Sequence, residues 1–207
     1  MLENRDYTVI VAKTAASTTM TPPGFADRWV AAHDAVIALA QKCEEFDPDG
    51  ITIYMSSNDR PDGSFKHYER VTSGQLESIF VDNFPPDTLN LLNGLQVALD
   101  SYFARKAANQ TKPNGEIIIV LVDGEPSDRM KIAKTIVQAA NHIDSDQELG
   151  IGFAQVGEDL IARGFLTALD QDLRSQAGAK FDIVHTRLLE DIYPEALTDF
   201  LRDILQG

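Results

Sequence analysis

The chain has 207 residues, 32 of them acidic and 18 basic, for a net charge of −14. That balance speaks against nucleic acid or an anionic membrane as partner. A single cysteine, Cys43, rules out internal disulfides and a thiolate zinc site.

Residues 6–14 read as a strand around the buried run TVIVA. Residues 14–24, TAASTTMTPPG, are small and polar and make a loop at that strand's carboxyl end. Residues 25–46 are helical, because Trp29, Ala32, Val36, Leu39 and Cys43 recur at three and four and form one apolar stripe. That stripe makes Cys43 a core residue rather than a nucleophile. Asp47-Pro48-Asp49-Gly50 stops the helix, and residues 51–55 form a second strand. Residues 64–71 set Phe65 and His67 against Lys66 and Tyr68, as an antiparallel edge strand does. Residues 73–82 form a short helix. Residues 89–106 form a longer one with Leu92, Leu95, Leu99, Tyr102 and Phe103 inward.

The strongest signal is EIIIVLVDGEPSD, residues 116–128. Its β-branched run reads as a strand buried on both faces, at the centre of a parallel sheet. It stops at the turn pair Asp123-Gly124, and a helix follows to about residue 143 with Ser127 as N-cap. Residues 149–156, LGIGFAQV, are another buried strand. A helix over 159–176 follows, with Phe165, Leu169 and Leu173 inward. The last strand is read at 180–184. A closing helix is read at 188–205, carrying Ile192, Leu197, Phe200, Leu201 and Ile204. Strands alternating with helices give an α/β fold in one domain, residues 1–207. It is a doubly wound, mostly parallel, Rossmann-like six-stranded sheet with one antiparallel edge strand and helices on both faces.

Catalytic signatures are missing. No Walker A motif or G-x-S-x-G elbow is present, and Gly150-Ile151-Gly152 lies inside a strand rather than after one. The four histidines, His33, His67, His142 and His185, have no metal-pair spacing and read as surface or edge residues. Asp47-x-Asp49 follows a helix and reads as a helix stop. Glu125 and Asp128 read as first-turn helix acids. Asp123 sits where open α/β sheets bind ligands, though a turn aspartate that bonds only its own loop would look the same. A lone acid with no histidine or cysteine placed by motif leaves a hydrolase or phosphotransferase reading weak, so no enzymatic activity is expected. The start, MLENRDYT, lacks an h-region and the longest apolar runs are strand-length, so a soluble cytoplasmic protein is expected.

Three segments together resemble the von Willebrand factor A (VWA) family. RDYTVIVAKTAAS is similar to its opening R-D-Y-T-x-x-x-D-K-S-G-S, and IIIVLVDGEPSD to its I-x-x-I-T-D-G-E-P-x-D. GIGFAQVGED with FLTALDQDL and GAKFDIVHT is similar to its fifth strand, fifth helix and sixth strand. The match covers nearly the whole chain and is best to the small free-standing bacterial members. The resemblance implies protein partners held at a metal-ion-dependent adhesion site (MIDAS), where a D-x-S-x-S loop, a threonine and an aspartate hold Mg²⁺ or Mn²⁺ for a partner's carboxylate. Here the loop positions fall on Ala12, Thr14 and Ala16, or one step on at Lys13, Ala15 and Ser17. The threonine position falls on Leu89, with Thr88 adjacent and Asn90 following, and Asp123 alone stands as in the family.

The expectation is therefore a degenerate MIDAS that binds a protein partner. Lys13, Thr14, Ala16, Ser17, Thr88, Asn90, Asp123 and Glu125 form the rim. No metal is held tightly, and Mg²⁺ or Mn²⁺ binds at low affinity at most, through Asp123, Thr14, Ser17 or Thr88. Lys13 is expected to stand in for the ion as an internal ammonium near Asp123. The resemblance also allows a homodimer or a pairing with another VWA protein. The alternative reading keeps metal-dependent adhesion through Asp123 and a partner carboxylate.

Overall fold

A computed structural model describes residues 1–14, 25–60, 62–86, 88 and 90–207, with backbone alone for 25–29 and 31. The strands are β1 (Asp6–Ala12), β2 (Ile51–Ser56), β3 (Phe65–Val71), β4 (Glu116–Asp123), β5 (Leu149–Val156) and β6 (Val184–Leu188). They form one six-stranded sheet in the order β3-β2-β1-β4-β5-β6. All neighbours are parallel except β2 and β3. β4 lies inside the sheet and is buried along its whole length, as its unbroken apolar run requires.

The helices are α1 (Phe25–Phe46), α2 (Leu76–Val81), α3 (Leu91–Ala107), α4 (Arg129–His142), α5 (Leu160–Gln176) and α6 (Leu197–Ile204). Side chains alternate across the sheet with period two. Val9, Val11, Ile117, Ile119 and Leu121 pack with α1, α2 and α6 on one face. Ile10, Ala12, Ile118, Val120 and Val122 pack with α3, α4 and α5 on the other. The doubly wound architecture read from the sequence is the one observed. Cys43 is fully buried in the α1 face, and burial pushes its thiol pKa well up.

The glycines of β5 serve packing. A Cβ on Gly152 would stand 2.3 Å from Ile204 Cδ1, and one on Gly150 2.6 Å from Ile204 Cγ2. Only a strand without side chains there lets α6 lie so close.

Three boundaries and one inward position correct the sequence reading. The last strand is Val184–Leu188, not 180–184, and its ladder is entered by the Ile151 amide bonding to the Ile183 carbonyl. VHTRL is half-buried beyond Val184, so this edge strand lacks the apolar run of the buried strands. The closing helix is only Leu197–Ile204, because Pro194 breaks the segment into two short 3₁₀ turns before it. Even so, Ile192, Leu197, Phe200, Leu201 and Ile204 are all buried, as expected. The N-cap of α4 is Asp128, not Ser127. In α5 the inward residue is Leu166, with Phe165 half-buried beside it. Trp29 of the α1 stripe falls among side chains outside the description.

Charged side chains cluster at the amino end of the sheet. Arg105 reaches Asp6 at 2.6 Å and the buried Glu116 at 2.5 Å. Lys106 reaches Glu148 at 2.6 Å and Asp144 at 2.9 Å, and the Tyr102 hydroxyl also donates to Glu148. Asp47 and Asp49, read as a helix stop, also bind Lys112. At the β3 edge the register against β2 shifts between Ile51 and Ile53, and Arg70 takes a positive φ of 53°. Among the described residues no helix is long and apolar enough to cross a membrane.

Candidate functional site

β1 and β4 are adjacent and parallel, with Ala12 opposite Val122, so the chain leaves both strands at the same carboxyl rim. Asp123 is the last residue of β4 and is 1% exposed. Gly124 then turns the chain with φ +80°, a left-handed conformation that glycine adopts without strain. Asp123 Oδ1 accepts the backbone N–H of Thr14 at 3.2 Å, and Thr14 Oγ1 donates to the Pro86 carbonyl at 3.2 Å. One acid thus ties the end of β4 to the exit of β1, and the exit of β1 to the segment before α3.

Lys13 is anchored at both ends. Its backbone N–H donates to Ser56 Oγ at 3.0 Å, and that hydroxyl donates back to the Lys13 carbonyl at 2.8 Å. Its Nζ donates to the Asn83 carbonyl at 2.6 Å and lies 5.1 Å from the Phe80 ring centroid. Asn83 is itself held, its Nδ2 donating to the Ile79 carbonyl at 2.6 Å and the Tyr68 hydroxyl at 3.0 Å. Lys13 is only 4% exposed, and burial pushes its pKa from 10.5 down to about 8.

Of the rim residues read from the sequence, Lys13, Thr14 and Asp123 come together. Glu125 is half-buried and pairs with Arg129 in the first turn of α4. Thr88 is exposed, and Asn90 caps α3, its side-chain oxygen accepting the Asn93 N–H at 3.2 Å. Ala16, Ser17 and Leu89 lie outside the described residues, as does the loop from residue 15 to 24. Three participants were missed: Ser56, Asn83 and Pro86. Ser56 is the polar residue closing an apolar strand, and Asn83 lies just before Pro85-Pro86; both were legible only as loop chemistry.

The oxygens that these hydrogen bonds place around Lys13, Thr14 and Asp123 are the Asp123 carboxylate, the Thr14 and Ser56 hydroxyls, and the Lys13, Asn83 and Pro86 carbonyls. Among the described residues no three of His, Cys, Asp and Glu converge as a metal site. As read from the sequence, His67 and His185 sit on the two edge strands, His67 stacked on Tyr54 at 4.6 Å.

Neither a protein-family model nor a curated protein matches the chain. Solved structures do share its fold. Proximal thread matrix protein 1 from the mussel byssus aligns at 14% identity and TM-score 0.54, over 98% of this chain and 48% of its own. The pilus adhesin SpaC from Lactobacillus rhamnosus GG aligns at 10% identity and TM-score 0.58, over 97% of this chain and 31% of its own. At such identities the likeness is one of fold. The chain spans about half the length of the first protein and about a third of the second.

Proposed function

We propose that the chain is a non-enzymatic protein-interaction module of the VWA type, of the free-standing bacterial kind, which binds a protein partner at the carboxyl rim without a tightly held metal. The observation that carries this reading is the make-up of the rim. A single buried carboxylate, Asp123, bonds the Thr14 amide, while the neighbouring strand end offers Ala12 and a buried ammonium, Lys13. Mg²⁺ surrenders its hydration reluctantly and takes oxygen ligands in near-ideal octahedral geometry. One carboxylate already accepting an N–H, beside hydroxyls and carbonyls engaged in the fold, does not fit that demand. Lys13 supplies positive charge at this rim in place of an ion.

Two further points support the reading. The two structural neighbours are, by name, a thread matrix protein and an adhesin. The one cysteine is buried and unbridged, which suits a cytoplasmic setting.

The test is a thermal melt in EDTA and then in millimolar Mg²⁺ and Mn²⁺. Ligand at 100 times its dissociation constant adds about 2.7 kcal/mol, which moves the midpoint of a chain this size by roughly 2–4 °C per kcal/mol. No shift is expected. A rise of several degrees that Asp123→Ala removes would instead favour metal-dependent adhesion through Asp123 and Thr14, which the hydrogen bond between them brings together.

A further inference from the structure

α3 lies over β1, and near its start it touches the outer hairpin: a Cβ on Gly94 would stand 2.9 Å from the Phe65 ring. Farther along α3 a cleft of about 310 Å³ separates it from β3. The floor of the cleft is where one face of the sheet changes character. Side chains on the α3 face recur with period two. Along β1 they run from Ile10 to Thr8 and Asp6, along β2 from Tyr54 to Thr52, and along β4 from Ile118 to Glu116. An apolar face thus ends in a patch of hydroxyls and carboxylates.

These polar groups are built into the fold. Glu116 is 1% exposed, and the Thr8 hydroxyl donates to its Oε1 at 2.5 Å. Arg105 reaches from α3 to Asp6 and Glu116, yet its side chain and that of Asp6 stay 31% and 25% exposed. A planar donor and a planar acceptor therefore stand 2.6 Å apart at the cleft surface. Thr52 is half-buried, and its hydroxyl has no hydrogen-bond partner among the described residues. On the β3 side the His67 ring lies parallel to Tyr54, 4.6 Å away and within 3°, and is 40% exposed. The wall there is a flat aromatic face.

The charges point to a neutral ligand. Arg105 answers Asp6 and Glu116, and Lys112 answers Asp49. At the mouth Glu69 and Arg70 are adjacent in sequence and opposite in sign. Such a balance selects neither an anion nor a cation. A hydroxyl both donates and accepts, so neighbouring hydroxyls on one ring would donate to Asp6 and accept from Arg105 together. The C–H face of the same ring would rest on an aromatic side chain. The volume lies at the small end of the roughly 300–1,000 Å³ usual for small-molecule sites, which is room for one ring rather than a chain.

We propose that the cleft between α3 and β3 is a second site, for a neutral polyhydroxylated ring of the monosaccharide class. Asp6 and Arg105 take a pair of neighbouring hydroxyls, Thr52 takes a third, and His67 carries the face of the ring. The site shares no group with the Asp123 rim and goes beyond the rim reading.

The test is saturation-transfer NMR of the whole chain with glucose, galactose, mannose and ribose, followed by titration of whichever binds. At least one should bind with a dissociation constant of about 1 mM or tighter. Thr52→Val, which keeps the shape and removes the hydroxyl, should weaken it at least about fivefold with an unchanged melting curve, and His67→Ala at least as much. Equal binding of the methyl glycoside would mark the end of a glycan as the ligand, and its loss a free sugar. No transfer from any of the four sugars overturns the proposal. So does binding that neither Thr52→Val nor His67→Ala weakens. Binding of glucosamine or glucuronate at least about tenfold tighter than of the neutral ring also overturns it, because the cleft would then read charge. The metal melt reads the rim and the sugar titration reads the cleft, so either can fail alone.

Discussion

At the amino end of the sheet, Arg105, Lys106 and Lys112 each reach two or more carboxylates, and Arg5 is fixed to the carbonyls of Met1, Glu116 and Gln147. At the carboxyl end, Asp123 and Lys13 bond backbone groups, and the helix starts next to them present Met130, Leu160 and Ile161 to solvent. The contrast separates two uses of side chains. Those at the amino end join segments distant in sequence, such as residue 6 to 105 and 47 to 112. The exposed apolar groups at the carboxyl end stabilise the fold little, and their placement makes sense as contact surface. Stability should therefore be sensitive at one end, and protein binding at the other.

Arg105→Ala should break this comparison hardest. It leaves Glu116, 1% exposed, without its cation, and stranding one partner of such a pair costs about 3 kcal/mol. Burial already raises the Glu116 pKa against the opposing pull of Arg105. Without Arg105 it rises further, and the folded state then binds more protons than the unfolded one. The variant's deficit, measured by urea denaturation, should therefore be largest at pH 7 and shrink toward pH 5. Gly152→Val comes next. It drives a side chain into Ile204 and should cost about 2–3 kcal/mol by overpacking, read from the same denaturation midpoint.

Lys13 tests the carboxyl end. Its folded pKa of about 8 lies below the ordinary 10.5, so between those values the unfolded chain holds a proton that the folded chain has released. Stability should rise with pH through that window, on the order of 3 kcal/mol. Lys13→Met should flatten this part of the profile in a melting series. Met130→Asp should be the mildest, within about 0.5 kcal/mol of the parent, as befits a solvent-facing position. A large loss there would mean that this face of α4 is part of the core, and the contrast between the two ends would collapse.

The fold was legible because it is written in runs. TVIVA, IIIVLV and LGIGFAQV are of strand length and read as strands covered on both sides, and the α1 stripe repeats at helical spacing from residue 29 to 43. Legibility failed where cover is partial or backbone chemistry decides. β6 is an edge strand of mixed polarity, so residues 180–184, which carry Ile183 and Val184, read as the strand instead. Pro194 interrupts an apolar pattern that otherwise reads as one long helix. At the rim, Asp123 could be picked out because it ends the most apolar strand. Ser56, Asn83 and Pro86 could not, since their partners lie 43 to 72 residues away and, for Asn83 and Pro86, are bonded through a carbonyl that every residue has. The exposed apolar surface shared by the starts of α4 and α5 was hidden for a related reason. Met130, Leu160 and Ile161 are apolar residues off the buried stripe, and sequence alone does not say that two helix starts lie next to each other.

The irregular edge made by β2 and β3 has a consequence for how this protein meets others. A flat, open strand is a template on which further chains can add and grow into a fibril. Here the register slips between Ile51 and Ile53, Arg70 is twisted to positive φ, and Lys66, Glu69 and Arg70 stud the outer strand. An incoming strand would find its ladder out of step within a few residues. Association through this edge by backbone pairing is thereby discouraged.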